Sequence, residues 1–351
     1  MKKAVSILTA ACLALSLAAC SSDSPSSAAA DPSSTSDASE SSSAETAEDT
    51  GTDASAAAYT IGICQQQPHE ALDAATQGFK DALVEAFGED GVTFDEQNAQ
   101  GDSNTCATII NGFVSGGYDL IMANGSSALQ AAAAGTADIP ILGTSVTEYG
   151  VALGIDGFDG TVGGNVSGTS DLAPLDQQAQ MLADFFPADQ YPTVGMLYCS
   201  AEPNSAYQVE QVTSYLTEMG YTVEDYSFSD SNDLATIATN ASTSCDVLYI
   251  PTDNTAASNT EIIQNICLPA GVPIIAGEQG ICSGCGVATL SISYYDLGYA
   301  TGEMAVQVLT GEADISTMPI EYAPNFTKMY NPSNCEALNI TVPDDYVAIE
   351  E

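Results

Sequence analysis

Apolar runs alternate with helical periodicities along most of this chain. Residues 59–64, 119–123 and 139–143 are short apolar runs with the length of buried strands. After the first run, Leu72, Phe79 and Leu83 recur at helical spacing. Further predicted strands lie at residues 92–94, 193–198, 221–226, 247–251 and 272–276, and further predicted helices at 105–114, 126–134, 175–186, 203–219, 233–241, 256–268 and 294–310. Continuous apolar strands between helices are typical of parallel sheets covered on both faces, and two such series predict two α/β lobes.

The first twenty residues have a different pattern. Lys2 and Lys3 precede an apolar run at residues 4–17, and small residues then lead to Cys20, which indicates a secretory signal and not a spanning helix. The sequence Leu-Ala-Ala-Cys resembles the lipobox of bacterial lipoproteins. That resemblance implies cleavage before Cys20, acylation of its thiol and amino group, and an extracytoplasmic, membrane-anchored protein. An ordinary secreted protein with a chance cysteine at its cleavage site is the alternative.

Residues 21–58 are predicted to form a tether. They are almost wholly Ser, Ala, Thr, Asp, Glu and Pro, without an aromatic or large aliphatic side chain. Such a segment cannot bury enough apolar surface to offset its ordering entropy, and its carboxylates repel one another. We therefore expect a disordered spacer that holds a folded body, beginning near Tyr59, away from a membrane.

Acidic residues dominate the charge. The chain has 47 Asp and Glu against four lysines and no arginine, and removal of the signal would leave Lys80 and Lys328. This composition argues strongly against nucleic acid as a partner and against charge-driven binding to anionic lipid. A phosphate or sulfate ligand would meet only backbone amides and hydroxyls, and no motif indicates a cofactor.

The cysteines do not point to chemistry. Cys12 lies in the signal and Cys20 is the predicted anchor, so eight remain, and eight cysteines allow 105 disulfide pairings. Cys282 and Cys285 have the spacing of metal ligands, but His69 is the sole histidine and no second cysteine pair follows, so we expect no metal site. The pair is predicted to lie in a Gly-rich loop, which favours a disulfide clip or free thiols over a thioredoxin-like role.

Polar side chains follow six of the predicted strands. In open parallel sheets the ligand lies beyond the carboxyl ends of the strands, so these loops are the candidate site. Their Ser, Asn and Asp residues are also typical helix caps, which is the simpler interpretation of any single loop. The loops are residues 65–69, 124–127, 144–147, 199–205, 252–255 and 277–280.

Four segments resemble one family closely. They read GICQQQPHEALDAATQGF, VGMLYCSAEPNSAYQVE, DVLYIPTDNTAAS and ATLSISYYDLGYATGEMA. They resemble the bacterial ABC-transporter substrate-binding proteins of the tryptophan/tyrosine type, over nearly all of residues 59–345. The resemblance implies the type I periplasmic-binding-protein fold, with three chain crossings near residues 164–171, 291–293 and 320–322. The implied lobes are residues 59–168 with 293–321, and residues 169–292 with 322–351.

The resemblance also implies which residues contact the ligand. Gln65 and His69 stand where the family has Gln and His after its first strand, and Thr147 falls at the family's threonine. Ser126 and Ser127 occupy the helix-start loop where the family commonly has Thr-Pro. The other implied contact positions are Asp171, Ser200, Glu202, Asn204, Ser205, Asp253, Asn254 and Glu278.

The residue chemistry agrees with a zwitterionic ligand, most simply an amino acid, with aromatic amino acids among the candidates. Its carboxylate can lie at the helix starts at residues 126–127 and 204–205, where free amides and the helix dipole attract negative charge without arginine. Its ammonium can pair with Asp171, Asp253 or Glu278, among which the sequence does not choose. Tyr149, Tyr198 and Tyr207 are candidate walls for an apolar side chain.

These features predict capture of a small solute and its delivery to a membrane permease by a monomeric protein, with no catalysis. A ligand sensor of the same fold is the alternative that the sequence leaves open. An exported enzyme is disfavoured because a serine hydrolase needs a base and a nucleophile elbow, and no Gly-x-Ser-x-Gly is present. The acids in the polar loops also form no distinctive glycosidase pair.

Overall fold

The structure, a computed structural model, describes residues 59–350. The predicted signal, the predicted anchor at Cys20 and the predicted tether lie outside the described residues. Within residues 59–350, no helix is both long and apolar enough to span a bilayer. The strands form two separate sheets flanked by helices, which confirms the predicted two-lobed α/β fold.

The first sheet has six strands, all parallel, in the order β11-β5-β4-β3-β1-β2. Its inner strands β3 and β4 are buried along their whole length because helices cover both faces. The strands are β1 (Tyr59–Gln65), β2 (Val92–Asn98), β3 (Leu120–Asn124), β4 (Ile141–Val146), β5 (Val166–Ser170) and β11 (Glu321–Tyr322).

Two helices far apart in sequence make the closest contact beside this sheet. In α1 (Glu70–Phe87) and α11 (Tyr294–Leu309), Gly78 and Gly298 allow the two backbones to touch. A Cβ added at Gly298 would lie 1.9 Å from the carbonyl oxygen of Ala75. The other helices of this lobe are α2 (Ser103–Gly116), α3 (Ser126–Gly135) and the short α4 (Tyr149–Leu153), and a 3-10 turn follows α11 at Ile315–Thr317.

The second sheet has seven strands in the order β13-β12-β10-β9-β8-β6-β7. This sheet is parallel, as predicted, except at β12, which runs antiparallel to β10. The strands are β6 (Thr193–Cys199), β7 (Thr222–Phe228), β8 (Val247–Ile250), β9 (Ile274–Ala276), β10 (Ala288–Ser291), β12 (Thr327–Tyr330) and β13 (Val347–Ala348). The helices are α5 (Leu175–Phe185), α6 (Pro203–Glu218), α7 (Ser231–Ser244), α8 (Asn254–Ala257), α9 (Thr260–Ala270), α10 (Gln279–Cys285) and α12 (Pro332–Ala337).

The chain passes between the sheets three times, after β5, after β10 and after β11. Thr169 and Ser170 belong to the first sheet, as does Tyr322. The expectation that Cys282 and Cys285 lie in a loop is wrong, because both are in α10. Their thiols face the core, and all eight cysteines among the described residues are buried and free of disulfides.

Candidate ligand-binding site

The polar loops of the two lobes meet at the points where each strand order reverses. The order reverses between β1 and β3 in the first sheet, and between β6 and β8 in the second. His69 follows β1 and its Nε2 donates to Asn254 Oδ1 of the other lobe at 3.1 Å, while Ser258 Oγ donates to the Pro68 carbonyl at 3.1 Å. The lobes are therefore in direct contact at their switch points, which is where ligands of such sheets bind.

Gln65 supports the first lobe and does not face an open space. Its side-chain nitrogen donates to Asp73 Oδ1 at 2.6 Å, and its oxygen accepts from Thr76 Oγ1 at 2.7 Å. Thr76 in turn accepts from Asn124 Nδ2 at 3.0 Å. This network leaves Gln65 without a free polar group, so its role is to fix the loop beyond β1.

Gln66, which the sequence did not single out, orders the start of α3. Its Oε1 accepts from the Ser127 backbone amide at 2.9 Å. The neighbouring amide of Ser126 is buried and has no acceptor among the described residues. The N-terminus of α3 therefore presents an unused N–H at the positive end of the helix dipole, next to the switch point.

Glu202 is fully used within the second lobe. Its two oxygens accept from the backbone amide and Nδ2 of Asn254, at 3.1 and 2.7 Å, and from the amide and hydroxyl of Thr255, at 2.8 and 2.7 Å. The side chain thus holds the start of α8 in place. Through Asn254 it also orients the oxygen that accepts from His69, so its part in ligand binding is indirect.

Asp253 and Glu278 are helix caps. Asp253 accepts from the Cys199 amide at 2.6 Å and the Ala256 amide at 2.8 Å, and Glu278 accepts from the amides of Gly280, at 2.6 Å, and Ile281. Burial raises the pKa of each carboxyl to about 7, against the opposing effect of these amides. Since every oxygen already has a donor, neither acid is the best partner for a ligand ammonium.

Asp171 is the acid that keeps an open acceptor. It is 4% exposed, its Oδ2 accepts from the hydroxyl of Tyr294 at 3.0 Å, and its Oδ1 has no partner among the described residues. Burial raises the pKa of Asp171, although the neighbouring hydroxyls of Thr147 and Tyr294 lower it. The charge of Glu278 contributes to the raised pKa of Tyr294, so a second acid lies near this hydroxyl.

No cation of the described chain serves these acids. Lys80 and Lys328, the two lysines in residues 59–350, pair with Glu96 and Asp345 at 3.0 and 2.7 Å. Each lobe has a further buried acceptor without a donor. These are the side-chain oxygens of Asn124, at the end of β3, and of Asn204, in the first turn of α6. A group placed among such acceptors must bring its own N–H donors, because a buried acceptor without one is costly.

The remaining candidates have local partners. Ser205 lies against Asp253, and the exposed Ser200 donates its hydroxyl to the Phe228 carbonyl at 3.1 Å. Tyr149 is not a wall of the site, because it is buried in the first-lobe core and donates to the Thr169 carbonyl at 3.0 Å. Tyr294, which the sequence did not single out, is the tyrosine that contacts a candidate site acid.

These features define a two-lobed binding protein whose cleft lies between the switch points of two α/β sheets, in the type I periplasmic-binding-protein fold. The chain belongs to the family of ABC transporter substrate-binding proteins, whose model matches residues 60–349. It is 35% identical over 282 residues to the tyrosine-binding protein of Clostridioides difficile, covering 80% of this chain and 81% of that protein. Both the family and this relative are binding proteins.

Two solved structures of relatives, one with ligand bound and one ligand-free and open, allow a comparison of conformation. A Streptococcus pneumoniae ABC domain in complex with L-Trp is 31% identical and has a TM-score of 0.77, over 82% of this chain and 97% of that one. The ligand-free, open structure of a Clostridium difficile substrate-binding protein with adhesive properties is 36% identical but has a TM-score of only 0.63, over 83% and 100%. Despite the lower identity, the ligand-bound relative matches better, in agreement with the contact between His69 and Asn254.

Proposed function

We propose that this protein captures an aromatic amino acid, of the tyrosine or tryptophan type, between its lobes. The observation that carries the proposal is Asp171, whose buried Oδ1 lacks a donor in a region without a protein cation. The α-ammonium of an amino acid supplies three N–H donors and a positive charge. Such a charge-assisted hydrogen bond is among the strongest that a buried carboxylate makes.

The α-carboxylate of the ligand lies at the N-terminus of α3. Ser126 offers a backbone amide there without an acceptor, and Gln66 holds the next residue in place. An anion at this end of a ten-residue helix gains from the free amide and from the dipole. The site therefore needs no arginine, which agrees with a chain that has none.

Binding is coupled to closure of the lobes. The first lobe offers the backbone amide of Ser126 and holds Asp171, whose own amide donates to the Val146 carbonyl, whereas the second lobe offers the open side-chain oxygen of Asn204 in α6. A ligand that contacts both sets binds the closed form more tightly and shifts the balance toward it. The hydrogen bond from His69 to Asn254 then holds the closed form, and we propose that this form docks on the permease.

Anchoring and lobe division complete the proposal. Acylation at Cys20 keeps the protein on the outer side of the cytoplasmic membrane, and residues 21–58 give the folded part reach to the permease. The protein acts as a monomer. The first lobe is residues 59–170 with 293–322, and the second is the intervening segment with the chain beyond the third crossing.

A thermal-shift panel with the twenty amino acids tests the proposal. A ligand at a hundred times its dissociation constant stabilises the protein by about 2.7 kcal/mol, which moves the midpoint by several degrees at this size. We expect shifts with L-tyrosine or L-tryptophan and a much smaller one with 3-(4-hydroxyphenyl)propionate, which lacks the ammonium. Protein refolded free of carried-over ligand that responds to no amino acid would contradict the proposal.

A further inference from the structure

A cavity separate from the candidate amino-acid site lies beside the connections between the lobes. It has a volume of about 410 Å³ and is lined by Thr169 of β5, by Ser293 ahead of α11, and by residues 321–325 and Thr327 around the third connection. The second and third connections therefore contribute to its wall, together with Thr169 of the first sheet and Thr327 at the start of β12 in the second. None of the residues discussed as amino-acid contacts lines it. We call it the hinge cavity, and its volume is within the range of small-molecule sites.

The hinge cavity combines negative charge with apolar surface. Asp296 and Glu321 line it, and neither carboxylate has a hydrogen-bond or ion-pair partner among residues 59–350. Leu297, Ala300 and Pro324 supply an aliphatic wall. The ring of Tyr322, which is 53% exposed, can add contact with a cation as well as apolar area.

We propose that the hinge cavity binds a small primary amine with an aromatic or branched apolar body and no carboxylate. The ammonium pairs with Asp296 and Glu321, and the body lies against Leu297, Pro324 and Tyr322. A free amino acid is disfavoured here, because its carboxylate would meet two acidic side chains and no cation. Selection by charge thus separates this site from the one between the switch points.

Occupancy of the hinge cavity favours the closed form. The cavity exists in the arrangement in which His69 contacts Asn254, and an occupant touches the second connection at Ser293, the third at residues 323–325, and Thr327 of the second lobe, which reorient when the lobes separate. Linkage then requires that the amine and the amino acid strengthen each other's binding by the same factor. This coupling rests on the proposed function, whereas binding of the amine does not.

Isothermal titration of the full chain in detergent with 2-phenylethylamine tests the site. L-tyrosine is kept at saturation so that the amine cannot enter the amino-acid site, and 2-phenylethanol is the uncharged probe of matched shape. We expect the amine to bind at least tenfold more tightly than the alcohol. The variant Asp296→Asn/Glu321→Gln should lose that preference, and its exposed positions should leave the fold and L-tyrosine affinity unchanged.

A control variant separates the site from the general negative charge. Glu303→Gln/Glu312→Gln removes the same charge at exposed positions that do not line the cavity. Equal amine affinity in both double variants, or equal binding of amine and alcohol, overturns the proposed site. If L-tyrosine does not bind while the amine binds through Asp296 and Glu321, the proposed function fails and the hinge site stands. An L-tyrosine affinity that rises less than threefold with the amine overturns the coupling.

Discussion

The replacement Asp171→Asn separates ligand binding from folding. It keeps the shape of the side chain and an oxygen that can accept from Tyr294, but it removes the charge that we assign to the ligand ammonium. Losing one partner of a buried charge-assisted pair costs about 2–4 kcal/mol. At 1.4 kcal/mol per tenfold, the affinity for L-tyrosine should fall by about 30- to 700-fold.

The melting temperature of the ligand-free Asp171→Asn variant should not fall, in contrast to its ligand affinity. Burial raises the pKa of Asp171, which means that the folded protein bears an uncompensated charge when this acid is ionised. Asparagine removes that charge, which offsets the cost of burying a new amide, so the melting temperature at pH 8 should not fall. Asp253→Asn is the matched control, and it should lower the melting temperature because both Asp253 oxygens accept backbone amides.

Isothermal titration with L-tyrosine and its des-amino analogue completes the test. Wild-type protein should prefer L-tyrosine, and Asp171→Asn should bind the two compounds with similar, low affinity. If the variant binds L-tyrosine within threefold of wild type, the assignment of the ammonium to Asp171 is wrong. If it no longer folds, the L-tyrosine preference of the Tyr294→Phe variant, which removes the hydroxyl that orients Asp171, gives the same information.

Four further predictions follow from named contacts. Burial raises the pKa of Glu278 from 4.5 to about 7. Its protonation therefore stabilises the fold by about 3 kcal/mol below pH 4, and this contribution is lost as the pH rises through 7. In calorimetry, the melting temperature of Glu278→Gln should depend less on pH between pH 4 and 8 than that of the wild type. Burial lowers the pKa of His69 from 6.5 in the closed form, so acid should open the ligand-free protein below about pH 6.5, as an increase in radius of gyration by X-ray scattering that His69→Gln does not show. Gly298→Ala should cost about 1–3 kcal/mol in chemical denaturation because its Cβ meets the Ala75 carbonyl, whereas Gly112→Ala, in a helix with open space around it, should stabilise by about 0.5–1 kcal/mol. Cys20→Ala should move the protein from the membrane fraction to the medium or periplasm on fractionation, and retention on membranes would contradict the anchor.

Much of the fold follows from local pattern. The apolar runs that become β1, β3, β4, β6 and β8 are continuous because both faces of each sheet are covered, and that signal needs no tertiary information. The sequence pattern does not predict helix α10, because its local residue preferences oppose a helix. Gly280, Gly284 and Gly286 disfavour a helix locally, but Ile281, Cys282 and Cys285 bury one side of it against the second-lobe core, and packing outweighs propensity.

The sequence predicts the loops of the candidate site but not the roles of the residues in them. Position beyond a strand end predicted the loops, yet it could not separate Asp171 from Asp253 and Glu278. Asp253 and Glu278 each accept a hydrogen bond from the backbone amide three residues later, at Ala256 and Ile281, which is the spacing of an N-cap. Recognising two short helices would have revealed this. The contact of Tyr294 with Asp171 joins residues 123 positions apart and depends on two crossings lying side by side.

The pairing of α1 with α11 also determines the order in which this chain can become stable. The hydrogen bond from Tyr295 to Asp81 spans 214 residues, and Phe79 packs in one cluster with Met304. During synthesis the N-terminal segment emerges first, but the face of α1 that packs on α11 stays uncovered until residues 294–309 follow. Most of the second lobe, by contrast, is contiguous from α5 to β10, and only β12, α12 and β13 join it from beyond α11. We therefore expect the second lobe to gain hydrogen-exchange protection earlier during refolding, and the sequence that emerges first to be the last to acquire it.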